Sequence, residues 1–255
     1  MTLPHNPTCM NQITSSKCCL FASDVDDTLL GDDNALAKLA DALEAVRERL
    51  VVAYNSSRPC ASLRKSVAEQ DNLPQPDYLI GALGTEIQHF VSGQTISVYS
   101  RRVAADWQRD KIAAVMHSLG FAAHKDEYQT PLKASYHVPG NAQYRHVLEQ
   151  LEKNGIKAKV IYSNNKNLDI IPVGADKGKA VDFLRRMLGF NVEQVVVAGD
   201  SANDREVFLY AFKGIVVANA DAHLKALSGP HISHAQACYA AGVLEGLEHW
   251  GVVRL

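Results

Sequence analysis

Apolar and polar positions along the chain change rhythm twice. The apolar run Cys18-Cys19-Leu20-Phe21-Ala22 predicts a buried parallel strand, because strands covered on both faces read as continuous apolar runs. Leu36, Leu39, Leu43, Val46 and Leu50 then recur at steps of three and four. That stripe predicts an amphipathic helix from a cap at Asn34 to about Leu50. Val51-Val52-Ala53-Tyr54 predicts a second buried strand, and Asn55-Ser56-Ser57-Arg58-Pro59 a polar turn whose proline suits the first turn of a helix. Strand, helix, strand, turn and helix make a βαβ unit with a parallel sheet. Tyr78-Leu79-Ile80 predicts a third strand, closed by Gly81 to Gly84.

The rhythm then turns to alternation. Thr85 to Phe90 and Thr95 to Ser100 alternate around Ser92-Gly93, which predicts a hairpin. A helix is expected from about Ala104 to Leu119, with Trp107, Ile112, Val115, Met116 and Leu119 inward. Strand Ala134 to Val138, a polar helix from about Ala142 to Lys153, and strands Ala158 to Tyr162 and Leu168 to Ile171 complete an α+β block. Past Pro172 the βαβ rhythm returns. A helix over Lys177 to Leu188 leads to strand Gln194 to Ala198, and a further helix starts near Asn203. Strand Gly214 to Val217 follows, then helices near Asp221 to Leu227 and Ala240 to Trp250. The expected fold is α/β: a Rossmann-like parallel-sheet core with an inserted α+β cap. The core comprises residues 17–85 and 173–255, the insertion 86–172, and a disordered tail 1–16.

Composition narrows the class of function. A 255-residue chain with 47% hydrophobic residues can bury a large core. A net charge of −2 gives no reason to expect nucleic acid or an anionic membrane as partner. No apolar run reaches the ~18 residues of a spanning helix. The first 16 residues are polar and carry Pro4 and Pro7 without an apolar centre, so a cytoplasmic protein is expected. The five cysteines, Cys9, Cys18, Cys19, Cys60 and Cys238, form no CxxC pair and read as reduced thiols, with Cys18 and Cys19 packed in the first strand.

The chemistry gathers at strand ends. Asp24-Val25-Asp26-Asp27-Thr28 follows the first strand, and alternation puts Asp24 and Asp26 on one side. The carboxyl end of such a strand is where open α/β sheets bind ligands. An acidic turn without function is the competing reading of that pentapeptide alone. Gly199-Asp200-Ser201-Ala202-Asn203-Asp204 follows a later strand in the same way. If both turns share one edge, Asp24, Asp26, Asp200 and Asp204 crowd together. Two like charges 4 Å apart repel by about 4 kcal/mol at an effective dielectric of 20, so a cation or protonation must offset them. An oxygen-only ligand set without His or Cys suits Mg²⁺. Lys177 opens a helix, where lysine is uncommon unless held by an anion.

Taken in order, Asp24 to Thr28, Ser56, Lys177 and Gly199 to Asp204 resemble the four motifs of the haloacid dehalogenase superfamily. Leu30-Gly31-Asp32 with Asn34, Gly84-Thr85-Glu86-Ile87, Lys133 to His137, Val160-Ile161-Tyr162-Ser163 and Leu168 to Pro172 are similar to sucrose-phosphate phosphatases. This similarity runs from about Lys17 to the C-terminus. One departure stands out: the family's Thr-Gly-Arg is Ser56-Ser57-Arg58 here. Ser56 keeps the hydroxyl, while Ser57 adds a side chain where glycine allows close approach.

The resemblance implies a magnesium-dependent hydrolase of sugar metabolism. Sucrose 6-phosphate is the leading substrate. Mannosylfructose phosphate or another fructosyl-disaccharide phosphate is the alternative, and a phosphosugar mutase or a silent regulatory domain of a sugar synthase stands further off. It implies Asp24 as nucleophile and Asp26 as acid and base. The metal ligands would be Asp24, the Asp26 carbonyl, Asp200 and Asp204. Ser56, Asn203 and Lys177 would hold phosphate. Arg58, Glu86, Lys133, Ser135 and His137, with Tyr136 beside them, would meet the sugar. The implied partners are the disaccharide phosphate and a sugar-phosphate synthase.

Overall fold

The computed structural model describes residues 17–254; the expected disordered tail, 1–16, lies outside the described residues. The chain runs β1 (Cys19–Ser23), α1 (Asp33–Ala45), β2 (Leu50–Asn55), α2 (Cys60–Glu69), β3 (Tyr78–Gly81) and β4 (Glu86–His89). It continues through α3 (Ser97–Val103), α4 (Arg109–Ser118), β5 (Ala134–His137), α5 (Asn141–Lys153), β6 (Lys159–Ser163) and β7 (Asn167–Ile171). It then follows α6 (Lys177–Leu188), β8 (Val195–Gly199), α7 (Arg205–Phe208), β9 (Lys213–Val216), α8 (Ala222–Lys225), β10 (Ile232–His234) and α9 (Tyr239–His249).

The apolar runs do what continuous hydrophobicity demands of a strand covered on both faces. Leu20 to Ala22, Leu50 to Tyr54 and Val195 to Ala198 are all buried in one large core cluster. Their sheet has seven strands in the order β10-β9-β8-β1-β2-β3-β4, parallel throughout except β4. The chain leaves β1 toward β2 and β3, and later returns on the other side through β8. The strand order therefore reverses between β1 and β8, which opens a crevice at their carboxyl ends. Ser23 pairs with Ala198, so the two acidic turns leave the sheet at the same level.

A second sheet, β5-β7-β6, is antiparallel and carries α4 and α5 on its own apolar cluster around Ile112, Met116, Val147, Leu151 and Ile170. The fold is thus α/β with a mostly parallel central sheet, as the sequence pattern predicts.

Four local expectations are corrected. The cap of α1 is Asp32, whose side chain accepts from the N–H groups of Asn34 and Ala35 at 3.0 Å each, not Asn34. A carboxylate at the positive end of a helix is the stronger cap. Helix α1 also stops at Ala45, and Leu50 opens β2, where its side chain is still buried. The hairpin around Ser92-Gly93 is reduced to one isolated bridge, Gln88 to Thr95. β4 instead extends the seven-stranded sheet by pairing with β3, so Glu86 belongs to that sheet, and Ser97–Val103 is helical. The helix expected from Ala104 starts only at Arg109: residues 104–108 form a turn and short connection in which the Trp107 indole N–H donates to the Pro131 carbonyl at 2.8 Å. β10 was not anticipated, since Ile232-Ser233-His234 has no apolar run; pairing with β9 makes it a strand.

Candidate active site

The β-ladder and two loops set the site. Asp24 is the first residue beyond β1, and its N–H donates to the Ala198 carbonyl on β8 at 3.0 Å. That bond ties the end of one strand to the other. Asp204 folds back over the end of β8, accepting from the N–H groups of Asp200 and Ser201 at 3.2 Å each. Gly199 makes this possible: a Cβ there would lie 2.7 Å from the Asp204 Cβ. Helix α6 is capped by Asp176, which accepts from the Lys179 N–H at 2.7 Å. The cap aims Lys177, in the first turn, back under the sheet edge.

Lys177 is 1% exposed, and its ammonium donates to Asp24 and Asp204 at 2.7 Å each. Asp200 accepts from the Thr28 hydroxyl at 2.9 Å. Oxygens of Asp24, Asp200 and Asp204 all lie within 4.8 Å of one another. Burial pushes the Asp24 carboxyl up against the opposing pull of Lys177. Burial, then Asp204 and Asp24, push Asp200 up to about 7. Burial pushes Asp204 up to about 6 although Lys177 pulls it down. For Lys177, burial works against the charge, but Asp204 and Asp24 more than offset it and hold the ammonium above its ordinary range. Three carboxylates facing one ammonium leave two negative charges over. An all-oxygen set with that surplus fits a divalent metal ion.

A polar cavity of about 880 Å³ opens between the two sheets above this cluster. Of the expected site residues, Asp24, Asp26, Arg58, Lys133, Ser135, Lys177, Asp200 and Asn203 line it. Asp26 stands at its rim, half-exposed, 2.9 Å from the Arg58 guanidinium. The buried Asn203 side-chain oxygen has no hydrogen-bond partner, so it has acceptor capacity to spare. Lys133 is buried; it donates to the Ser57 carbonyl at 3.0 Å and lies 3.3 Å from Asp169. Ser135 donates to Asp169 at 2.5 Å.

Other expected site residues stand elsewhere. Ser56 is fully buried just behind the cavity wall, where its hydroxyl accepts from the Arg58 N–H at 3.1 Å. Glu86 does not reach the cavity; it accepts from the Cys60 N–H at 2.6 Å and so braces the start of α2. His137 shares the face of Lys133 and Ser135 but is exposed and outside the cavity. Alternate residues advance about 6.6 Å along a strand, which carries it past the edge, near the ring of His124. Tyr136 packs in the second apolar cluster. Cys18 is exposed rather than packed.

Sequence reasoning missed His124, Tyr128, Lys159, Ile161, Asp169 and His223, all of which line the cavity. For Lys159 and Ile161 the signal was there: they and Ser163 alternate along β6 and share its cavity face. Lys159 donates to Glu206 on α7 at 2.5 Å, a second link between the two sheets' units besides Lys133 to Ser57. His124 and Tyr128 lie on the connection between α4 and β5, Tyr128 in a single 3-10 turn, Asp126–Tyr128, too short for periodicity to set a direction.

Residues 17–251 match the model of the family described as sucrose-6F-phosphate phosphohydrolase. The chain is 34% identical over 241 residues to mannosylfructose-phosphate phosphatase of Agrobacterium fabrum, covering 91% of this chain and 97% of that protein. It is 27% identical to sucrose-phosphatase 1 of Nicotiana tabacum, over 95% of this chain and 61% of that longer relative. In structure it is similar to the sucrose-phosphatase of Synechocystis, solved in complex with sucrose and phosphate. The TM-score is 0.83 at 30% identity, over 92% of this chain and 98% of that one. No helix among the described residues is long and apolar enough to cross a membrane. Together with the motif order, the paired acidic turns and the parallel sheet, these matches settle the family: the chain belongs to the sucrose-6F-phosphate phosphohydrolases, sugar-phosphate phosphatases of the haloacid dehalogenase superfamily.

Proposed function

We propose that the protein is a magnesium-dependent phosphatase of a fructosyl-disaccharide phosphate, sucrose 6-phosphate first, acting through an aspartyl-phosphate. One observation carries the reading: the buried Asp24–Lys177–Asp204 triad with Asp200 beside it faces a polar cavity whose rim holds Asp26. The three-stranded unit over that cavity is, on this reading, the cap that selects the sugar. Mannosylfructose phosphate is the second reading, favoured by the 34% identity to the Agrobacterium enzyme. Association with the synthase that makes the phosphate ester belongs to the same proposal.

An Asp24 oxygen attacks phosphorus while the bond from phosphorus to the sugar oxygen breaks, and Asp26 gives that oxygen its proton. Asp26 then takes a proton from water, whose oxygen attacks phosphorus and frees Asp24 and inorganic phosphate. Lys177 and Asn203 hold the phosphate oxygens, with Ser56 supporting that wall from behind. Mg²⁺, held by Asp24, Asp200, Asp204 and the Asp26 carbonyl, would neutralise charge on the transferring group. Arg58 keeps Asp26 turned toward the cavity, and the cap unit excludes bulk water.

The test is phosphate release from sucrose 6-phosphate, mannosylfructose phosphate and a set of monosaccharide phosphates, with Mg²⁺ and after chelation. The expected result is fastest turnover of a disaccharide phosphate, abolished by chelation and restored by Mg²⁺. Preference for a monosaccharide phosphate, or full activity after exhaustive chelation, would sink the proposal.

Lys133→Ala gives a sharper check on the cap. Two of its contacts, Ser57 and Asp169, lie on opposite sides of the cavity, and an ammonium has three donors. The expected loss in kcat/KM on the disaccharide phosphate is roughly 10- to 100-fold, the worth of one charged hydrogen bond. Loss on phenyl phosphate should be clearly smaller. Equal losses would assign Lys133 to holding the Ser57 loop alone.

A further inference from the structure

The loop between β9 and α8 has no part in the reaction as written, yet it grips both acidic turns. The Asn219 side-chain N–H donates to the Asp27 carbonyl at 2.6 Å. Its oxygen accepts from the Tyr239 N–H at 2.9 Å. A carbonyl can only accept and a backbone N–H can only donate, so the orientation of this amide is fixed by its two partners. Two residues on, the Asp221 N–H donates to the Asp200 carbonyl at 2.7 Å. The Asp221 carboxylate accepts from the Ala202 N–H at 2.8 Å and the Leu224 N–H at 2.8 Å.

Both residues that Asn219 joins are in the left-handed region, Asp27 at φ 58° and Tyr239 at φ 52°. A bulky aromatic there is an outlier that surrounding contacts must hold in place. The Tyr239 ring in turn lies on Gly31, where a Cβ would come within 2.5 Å of it. Asn219, Tyr239, Gly31 and Asp27 thus clasp the turn that carries Asp26. Asn219 itself does not line the cavity, so it acts through Asp27 and not on substrate.

We infer that Asn219 is a positioning residue that fixes the Asp26 turn against the Asp200 turn, with the Asp221 contacts as the other arm of the same bracket. The inference rests on the acid/base role proposed for Asp26. Its consequence is selective. Asp24 is held by the sheet, by Ala198 and by Lys177, independently of Asn219. Releasing Asp27 therefore leaves the nucleophile in place and moves the acid/base. Proton transfer requires heavy atoms about 2.6–3.2 Å apart, and a displacement near 1 Å costs up to about 100-fold in rate.

The experiment compares Asn219→Asp and Asn219→Ala with the full-length wild type, all loaded with Mg²⁺. Asn219→Asp keeps the acceptor for the Tyr239 N–H but loses the donor to Asp27; Asn219→Ala loses both. On sucrose 6-phosphate, Asn219→Asp should lower kcat roughly 10- to 100-fold with KM unchanged. On p-nitrophenyl phosphate, whose leaving group needs no proton, it should show a nitrophenolate burst, because water activation for the second step has slowed. Its melting temperature should stay near wild type, while Asn219→Ala melts earlier. Wild-type kcat without a burst in Asn219→Asp overturns the inference. So does a loss of activity without a burst that only tracks a fall in melting temperature, which is what a purely structural tie would give. Asp26→Asn is the control: if it matches wild type, the acid/base reading itself is wrong, whereas a crippled Asp26→Asn beside a normal Asn219→Asp removes only the bracket.

Discussion

Asp24→Asn is expected to abolish phosphate release and to leave the fold intact. Asp24 is 5% exposed, at the end of the central strand of the seven-stranded sheet, and its only side-chain partner among the hydrogen bonds of the described residues is Lys177. Substitution by the isosteric amide keeps the shape, and the amide oxygen can still accept from Lys177. What it removes is the anionic oxygen that must form the bond to phosphorus. A neutral amide is no substitute nucleophile, so the loss should reach the detection floor, at least about 10⁴-fold by analogy with other removed nucleophiles. Because one of three crowded carboxylates has lost its charge, the metal-free variant should be at least as stable as wild type. The measurements are phosphate release under saturating substrate and thermal unfolding after chelation. Substantial turnover in the variant would assign the nucleophile elsewhere. Inactivity accompanied by unfolding would leave the role of Asp24 to the wild type, in which the phosphoenzyme expected on the proposed mechanism, trapped in acid, should carry its label on Asp24.

The carboxylate cluster was more legible in the chain than the rest of the cavity lining, for a physical reason. Asp24 follows β1, and Asp200 and Asp204 follow β8, both buried and largely apolar strands, and parallel-sheet topology sends such strands' carboxyl ends to one edge. Lys177 was conspicuous because a lysine in a helix's first turn runs against the helix dipole. The second unit gave weaker signals. Alternation along β5 places Lys133 and Ser135 at the cavity but does not say where the strand runs past its edge, and His137 lies outside the cavity lining. Glu86 had an acidic side chain at the right point in the chain, yet β4 pairs with β3 and turns that side chain toward the Cys60 N–H. Local pattern carries no information on which of two strands a third will choose. His124, Tyr128 and Asn219 stand on connections and short turns, where only tertiary contacts define direction.

Lys177→Met is expected to damage both the chemistry and the stability of the metal-free protein, in a way that depends on pH. The ammonium is 1% exposed and bridges Asp24 and Asp204 at 2.7 Å each. Methionine fills much the same slot but leaves two buried carboxylates without a counter-charge. Breaking a buried ion pair from one side typically costs about 3–5 kcal/mol. The pH dependence follows from the carboxylates. In the metal-free wild type, Asp204 is pushed up to about 6 and Asp200 to about 7 from an ordinary 3.8, with burial first among the causes. Between about pH 4 and 7 the folded state therefore holds more protons than the unfolded chain, and stability contributed below that window is lost as pH rises through it. Lys177 works in the opposite direction, because it lowers both Asp24 and Asp204. Without it those groups rise further and the window extends upward. Thermal unfolding in chelator should show a small deficit for Lys177→Met at pH 5 and a larger one at pH 8, with added Mg²⁺ recovering part of it. Phosphate release should fall at least about 100-fold at every pH, since on the proposed mechanism Lys177 holds the transferring phosphoryl group. Equal stability of variant and wild type at pH 8 would show that the carboxylates find their compensation elsewhere, and with it Lys177 would lose its place at the centre of the site.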